Sequence, residues 1–323
     1  MKKLVLFIAT LFCSGYIVAQ QRAQFTQYMV NQYVLNPAVG GTEDFTELRA
    51  GFRKQWLGLP GGPATVYFTA HTPIGKPKEN KTGNARNQKN GWHGVGLMAY
   101  GDKTGPTARN SVYASYAYNM GLSPKLRLAI GTFAGAQQFR VNGDDFTLYH
   151  ESDKVLNGVS STIVPDVSLG SWLYSKRFYL GISAHQLLQN NLNLNDMPLP
   201  GISEGKLIAH YFVTGGYSIK FKEIMLIPSV MVKYANAAPL SMDFSAKANY
   251  HDGIFWLGAA YRSFDSFSIM AGTYLLEGQL PISYSYDLTT SKLFPHNTGS
   301  HEIIVGYRFP FKPQIQCPAN FWD

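Results

Sequence analysis

The sequence predicts an all-β fold: a transmembrane antiparallel β-barrel of 14 strands, preceded by a short N-terminal helical or plug segment. Three observations carry this. Apolar residues alternate with small or polar ones in runs of about nine to twelve residues, the length a tilted strand needs to cross a bilayer. The chain is 45% hydrophobic and only 15% charged, yet its mean hydropathy is −0.11, as expected when every second residue cancels its neighbour. Turn signals separate the runs. High aromatic content with low charge excludes a disordered chain. The longest apolar run, Leu4 to Cys13, is far short of the ~20 residues of a spanning helix, which excludes a polytopic helical transporter.

In chain order, residues 1–19 read as a signal peptide. Lys2 and Lys3 form its basic region, Leu4 to Phe12 its apolar core, and Ile17-Val18-Ala19 before Gln20 its cleavage site. Cys13 follows Thr10-Leu11-Phe12 without the small residue a lipidated cysteine requires, so the lipoprotein reading fails. Cys317 is the one remaining thiol, and an exported chain with one cysteine has no intramolecular disulfide framework. Residues 20–45 form an N-terminal periplasmic or plug segment. Phe25, Tyr28, Met29 and Tyr33 fall at helical spacing until Asn36-Pro37 and Gly40-Gly41 stop the pattern. A short amphipathic helix is expected, plugging the lumen, lying against the periplasmic mouth or serving as a packed cap.

Residues 46–309 are the barrel, with run centres near 51, 68, 96, 114, 130, 169, 181, 213, 229, 246, 258, 271, 284 and 305. In the first, Leu48, Ala50 and Phe52 alternate with Arg49, Gly51 and Arg53. In the fourth, Val112, Ala114, Tyr116 and Tyr118 alternate with Tyr113, Ser115, Ala117 and Asn119. A soluble sandwich would show the same period but in shorter strands of ~5 to 6 residues. In lipid a closed barrel is the β solution that pairs every N–H and C=O. Joins after even-numbered runs are tight: Asn119 to Pro124, Ser175 to Arg177, Lys220 to Glu223, His251 to Gly253 and Glu277 to Gln279. Long joins follow odd-numbered runs: Gln138 to Val164, Gln186 to Lys206 and Thr289 to Ser300. Short periplasmic turns and long outer loops are the habit of outer-membrane barrels, which places both termini, and the tail 310–323, in the periplasm. One join breaks the pattern. Pro73 to Asn90 is long, on the short side, and basic: Lys76, Lys78, Lys81, Arg86 and Lys89 against Glu79. Lacking interleaved aromatics, it reads as a solvated loop or a protein-docking arm and not as a nucleic-acid site.

The chemistry is sparse. His71, His93, His150, His185, His210, His251, His296 and His301 show no metal-ligand spacing, and no Gly-x-Gly-x-x-Gly opens a helix, so neither metal nor cofactor is expected. His71, His185 and Asp243 lie on polar strand faces, but no nucleophile-base-acid pattern marks a hydrolase, and no enzyme activity is expected. The polar face also carries Arg49, Arg53, Lys247, Arg262 and Arg308 with Asp243, Asp287 and Glu302. These form either a lumenal charge network that stabilises the wall or a selective pore lining, and 14 strands leave the lumen width undecided between filled and open barrels.

Particular words in the sequence resemble the PorP/SprF family of Bacteroidetes outer-membrane proteins. They are Gln27-Tyr28-Met29, Asn36-Pro37-Ala38 with Gly40, Arg53-Lys54-Gln55-Trp56, His71-Thr72-Pro73, Gly94-Val95-Gly96, Asp102 to Gly105, Tyr261-Arg262, Tyr286-Asp287, and His301-Glu302-Ile303 ending in Tyr307-Arg308-Phe309. Their order and spacing span nearly the whole chain after the leader. The tail from Pro310 and the length of the basic join depart from the pattern. The resemblance implies a non-enzymatic role in the type IX secretion system, in secretion or surface attachment of cargo such as the adhesins of gliding motility. Implied partners are outer-membrane lipid, a secreted cargo protein and periplasmic machinery. A general diffusion channel or small-solute transporter is the alternative.

Overall fold

The computed structural model describes residues 23–77, 91–143, 158–192, 205–236, 238–250 and 253–310. Its strands are β1 (Phe45–Lys54), β2 (Ala64–Ile74), β3 (Trp92–Thr104), β4 (Thr107–Ser123), β5 (Leu126–Asn142), β6 (Val159–Tyr174), β7 (Phe178–His185), β8 (Asn191–Leu192), β9 (Gly205–Lys206), β10 (His210–Tyr217), β11 (Ile219–Phe221), β12 (Ile224–Ala235), β13 (Ser241–Tyr250), β14 (Phe255–Arg262), β15 (Ser266–Leu275), β16 (Leu280–Thr289) and β17 (Ser300–Pro310). Each wall strand pairs antiparallel with its neighbour, β1 pairs with β17, and β10 pairs with both β7 and β12. With β11 continuing β10 past Ser218 and β8–β9 forming a separate hairpin, the result is a closed antiparallel barrel of 14 strands.

Closure follows from the sequence pattern. A one-residue slip would turn every apolar side chain inward, so the alternation fixes the register. At the seam Ala50 faces Val305 and Arg53 faces Glu302, each pair sharing one side of the wall. Val66, Leu97, Val112, Ile130, Leu257 and Ile269 face outward and are each more than half exposed. That belt would cost roughly 25 cal/mol per Å² in water and is neutral in hydrocarbon. The inward set includes Thr69, Ser115, Ser168, Ser245, Ser285 and Glu302, all buried.

The strands vary more in length than expected, from 8 residues in β7 to 17 in β4 and β5. β5 reaches Asn142 and β6 begins at Val159, so both extend into the stretch read as loop. β6 pairs with β7 only from Leu169 to Tyr174. Its first half stands beyond the end of β7, where Leu192 and Leu207 of the β8–β9 region pack against Val164. The tight joins expected at 119–124, 175–177, 220–223 and 277–279 are present, residues 251–252 of the fifth lie outside the described residues, and Gly105–Pro106 between β3 and β4 makes a further tight turn on the long-loop side. The end with the short joins, where β1 begins and β17 ends, is called the inner end below.

Candidate functional site

Residues 23–43 run through the barrel. At the outer end Arg262 donates to the Gln24 side chain at 3.0 Å and to the Phe25 carbonyl at 3.3 Å. Tyr28 shares a hydrogen bond with Ser245 of β13, Asn31 donates to Thr69 of β2, and Tyr33 shares one with Ser115 of β4. The Leu35 carbonyl accepts from Ser183 at 2.6 Å and meets His185 Nε2 at the same distance, and Asn36 donates to the Ser171 and Ile182 carbonyls. At the inner end Trp92 donates to the Gly41 carbonyl at 2.7 Å and Lys76 to the Thr42 carbonyl at 2.6 Å. The segment is therefore a plug that crosses the lumen from the outer strand ends to the inner ones.

It is not the amphipathic helix that its spacing suggested. It forms turns and two single-turn 3-10 helices, Gln32–Val34 and Pro37–Val39, the second capped by Asn36 accepting from the Ala38 N–H. The physical reason is that the barrel supplies the partners a helix would have supplied itself. The carbonyls of Val30 and Leu35 bond to Arg49, Ser183 and His185 on the wall. Wall glycines allow this approach. A β-carbon on Gly94 would overlap the Gly40 carbonyl oxygen, and one on Gly170 would overlap the Asn36 side chain.

The lumenal charges pair. Arg53 Nη2 lies 2.7 Å from Asp287 Oδ2, and its Nη1 lies 3.4 Å from Glu302 Oε2. Thr26 joins them, donating its N–H to Glu302 at 2.8 Å and its hydroxyl to Asp287 at 2.6 Å, while Tyr67 donates to Glu302 at 3.0 Å. Arg262 meets Asp243 at 3.1 Å and Asp265 at 3.2 Å, and Lys233 meets Asp243 at 2.9 Å. Toward the inner end Arg49 and Arg308 converge on Glu47 at 2.7 and 2.9 Å. Lys247 stands apart, its ammonium 5.4 Å from the centre of the Trp256 ring. The sequence reading missed Glu47, Lys233, Asp265 and Thr26. Glu47 was legible as the residue one pleat before Arg49, whereas Thr26 joins the network only because the plug is threaded.

Of the basic join, Lys76 pairs with Asp44 at 2.6 Å and lies over Trp92, while Lys78, Lys81, Arg86 and Lys89 lie outside the described residues. His71 sits 3.6 Å from Glu47, His185 contacts the Leu35 carbonyl and Asp243 is held by two cations, so the hydrolase candidates have other partners. Among the described residues no cluster of His, Cys, Asp or Glu could hold a metal ion.

A closed 14-strand wall, an apolar outward belt and a plug anchored to a charged lumen define an outer-membrane β-barrel. The chain belongs to the type IX secretion system membrane protein PorP/SprF family, whose sequence profile matches residues 17–307. Among curated proteins no match is found. Solved structures of similar fold include the Ralstonia pickettii toluene transporter TbuX, with 9% identity and a TM-score of 0.52 over 88% of this chain and 93% of that one. A Pseudomonas aeruginosa FadL homologue has 10% identity and a TM-score of 0.51 over 86% and 93%. At these identities the likeness concerns the fold.

Proposed function

We propose that this barrel is a docking and assembly platform of the type IX secretion system, serving secretion or surface attachment of a cargo protein such as a gliding adhesin. It sits in the outer membrane with the short joins and the ends of the barrel wall toward the periplasm. The observation that carries the reading is the plug. Its side chains and carbonyls bond to β1, β2, β4, β6, β7 and β13, and Thr26 is tied to β16 and β17, an arrangement suited to a closed lumen and unsuited to free diffusion. Long outer loops and the part of β6 standing beyond β7 offer surface for cargo, and the basic join offers Lys76, Lys78, Lys81, Arg86 and Lys89 to periplasmic machinery.

Deletion of the gene should leave an adhesin unsecreted or shed into the medium, while the purified barrel shows no steady conductance in planar bilayers. Normal surface display in the deletion strain overturns the platform. A stable open conductance with normal cargo display favours the rival, a diffusion channel or small-solute transporter. Charge reversal of Lys76, Lys78 and Lys81 should weaken recovery of periplasmic partners, and unchanged recovery removes the docking role of that join.

A further inference from the structure

Three of the sequence words, Arg53-Lys54, Tyr286-Asp287 and His301-Glu302, each give one residue to the network around Thr26 and leave its neighbour without a role. Arg53, Asp287 and Glu302 are buried in the lumen, so the strand alternation turns Lys54, Tyr286 and His301 to the outside of the wall. The register sets these three side by side toward the outer end: Tyr286 pairs with His301, and His301 with Lys54. The same row continues from Lys54 through Ala64, Lys103 and Ala108 to Arg140. From β1 to β5, cations therefore alternate with alanines, and neighbouring cations stand ~10 Å apart across two strand spacings.

The row lies at the rim of the apolar belt. Phe52 is one pleat below Lys54 on β1 and Ile303 one pleat below His301 on β17, and both are exposed outward. On the opposite arc the outermost outward positions of β10, β12, β14 and β15 are Tyr211, Tyr234, Tyr261 and Phe267, an ordinary aromatic girdle. The outer girdle is thus aromatic on one arc and cationic on the other. The acidic residues of the cationic arc's strands, Glu47, Asp102, Asp287 and Glu302, belong to the lumenal face. Lys54 donates to the Gly62 carbonyl at 2.7 Å, which engages one of its three donors. Lys103 and Arg140 are exposed, and among the described residues none of these three cations meets a carboxylate.

We propose that this row binds phosphate-bearing lipid headgroups of the leaflet at the outer end of the barrel. Lys54, Lys103 and Arg140 hold the phosphate oxygens by charge-assisted hydrogen bonds, and the acyl chains lie on the belt below them. Charge and depth together select this occupant. A lipid covers the cations and the adjoining apolar side chains at once, whereas a soluble acidic protein reaches the cations alone. The inference goes beyond the platform reading and does not depend on the identity of the cargo.

The test is native mass spectrometry of the full-length barrel in neutral detergent micelles doped with phosphatidic acid, or with phosphatidylcholine of the same acyl chains. Phosphatidic acid should be retained in preference and should saturate. A lysine or arginine at an anionic lipid surface is worth about fivefold in affinity, so Lys54→Gln with Lys103→Gln should cost roughly twentyfold. Lys54→Arg with Lys103→Arg should keep most of the affinity, and Lys125→Gln with Lys222→Gln, in the short inner turns, should change it far less. Heat-modifiable gel mobility reports that each variant is folded. Equal retention of phosphatidylcholine, undiminished binding by the folded Lys54→Gln, Lys103→Gln variant, or an equal loss from the inner-turn pair overturns the proposal. So does displacement of the lipid by equimolar inorganic phosphate, which would make the ligand a free anion, or by blocked pentaglutamate, which would make it an acidic protein.

Discussion

Arg53 and Asp287 lie 234 residues apart in the chain and meet at 2.7 Å, each side chain 2% exposed. The Thr26 hydroxyl bridges them, at 2.5 Å from Arg53 and 2.6 Å from Asp287, so one ion pair joins β1, β16 and the plug. Removing one partner of such a pair leaves an uncompensated buried charge, which costs about 3–5 kcal/mol, whereas replacing both with apolar residues is often near neutral. Arg53→Met should therefore lower the temperature of the heat-modifiable mobility shift markedly, and Arg53→Met with Asp287→Leu should recover part of the loss. A double variant worse than the single would show that Asp287 stabilises the barrel through the Thr26 hydroxyl even without Arg53.

The plug is held by fit as well as by charge. Gly170→Val places a branched side chain where Asn36 lies against β6, and Gly94→Ala intrudes on the Gly40 carbonyl. Both substitutions spare the outward belt, so the barrel should still form while the plug is displaced. Planar-bilayer recording should detect conductance in both variants and in a chain lacking residues 24–42, against a silent parent. Silence in all three would mean that the lumen is sealed by something other than the plug.

The wall was legible because period-two alternation is written locally: Val112 to Asn119 declares both faces of β4 without reference to any other strand. The lumenal charges were legible for the same reason, since Arg49, Arg53, Asp287 and Glu302 occupy alternation positions. Their pairing was not, because closure of β1 on β17 and contacts such as Arg53 to Asp287 depend on long-range register. The plug conformation was misread because spacing alone cannot show that wall groups satisfy its carbonyls. The family words Asn36-Pro37-Ala38, Gly40 and Gly94-Val95-Gly96 acquire a physical meaning here, as the plug and the socket cut for it.

The plug crosses the lumen, so its leading end and Pro310, where the last barrel strand finishes, lie at opposite ends of the molecule. Gln24 is held by Arg262 at the outer end of β14, whereas Glu223 occupies the short inner turn between β11 and β12. In a Cys317→Ser background, Gln24→Cys should react with a membrane-impermeant maleimide on intact cells, and Glu223→Cys only after the outer membrane is permeabilised. The reverse pattern would invert the orientation proposed for the barrel.

Ile269 lies in the middle of β15, opposite Tyr286 and Ala259, and points outward with 57% of its surface exposed. If this face meets hydrocarbon, Ile269→Arg should destabilise the folded barrel by about 2–4 kcal/mol, the midplane cost of a cation on a lipid-facing strand, while a cation near the interface costs far less. Phe264→Arg, at the exposed tip of the outer turn after β14, provides that comparison. Equilibrium refolding into lipid vesicles measures both. An aqueous exterior would reverse the expectation, because arginine at Ile269 would then relieve an exposed apolar patch and leave stability unchanged or raised. The measurement thus tests the lipid-facing assignment of the belt independently of conductance and of cargo.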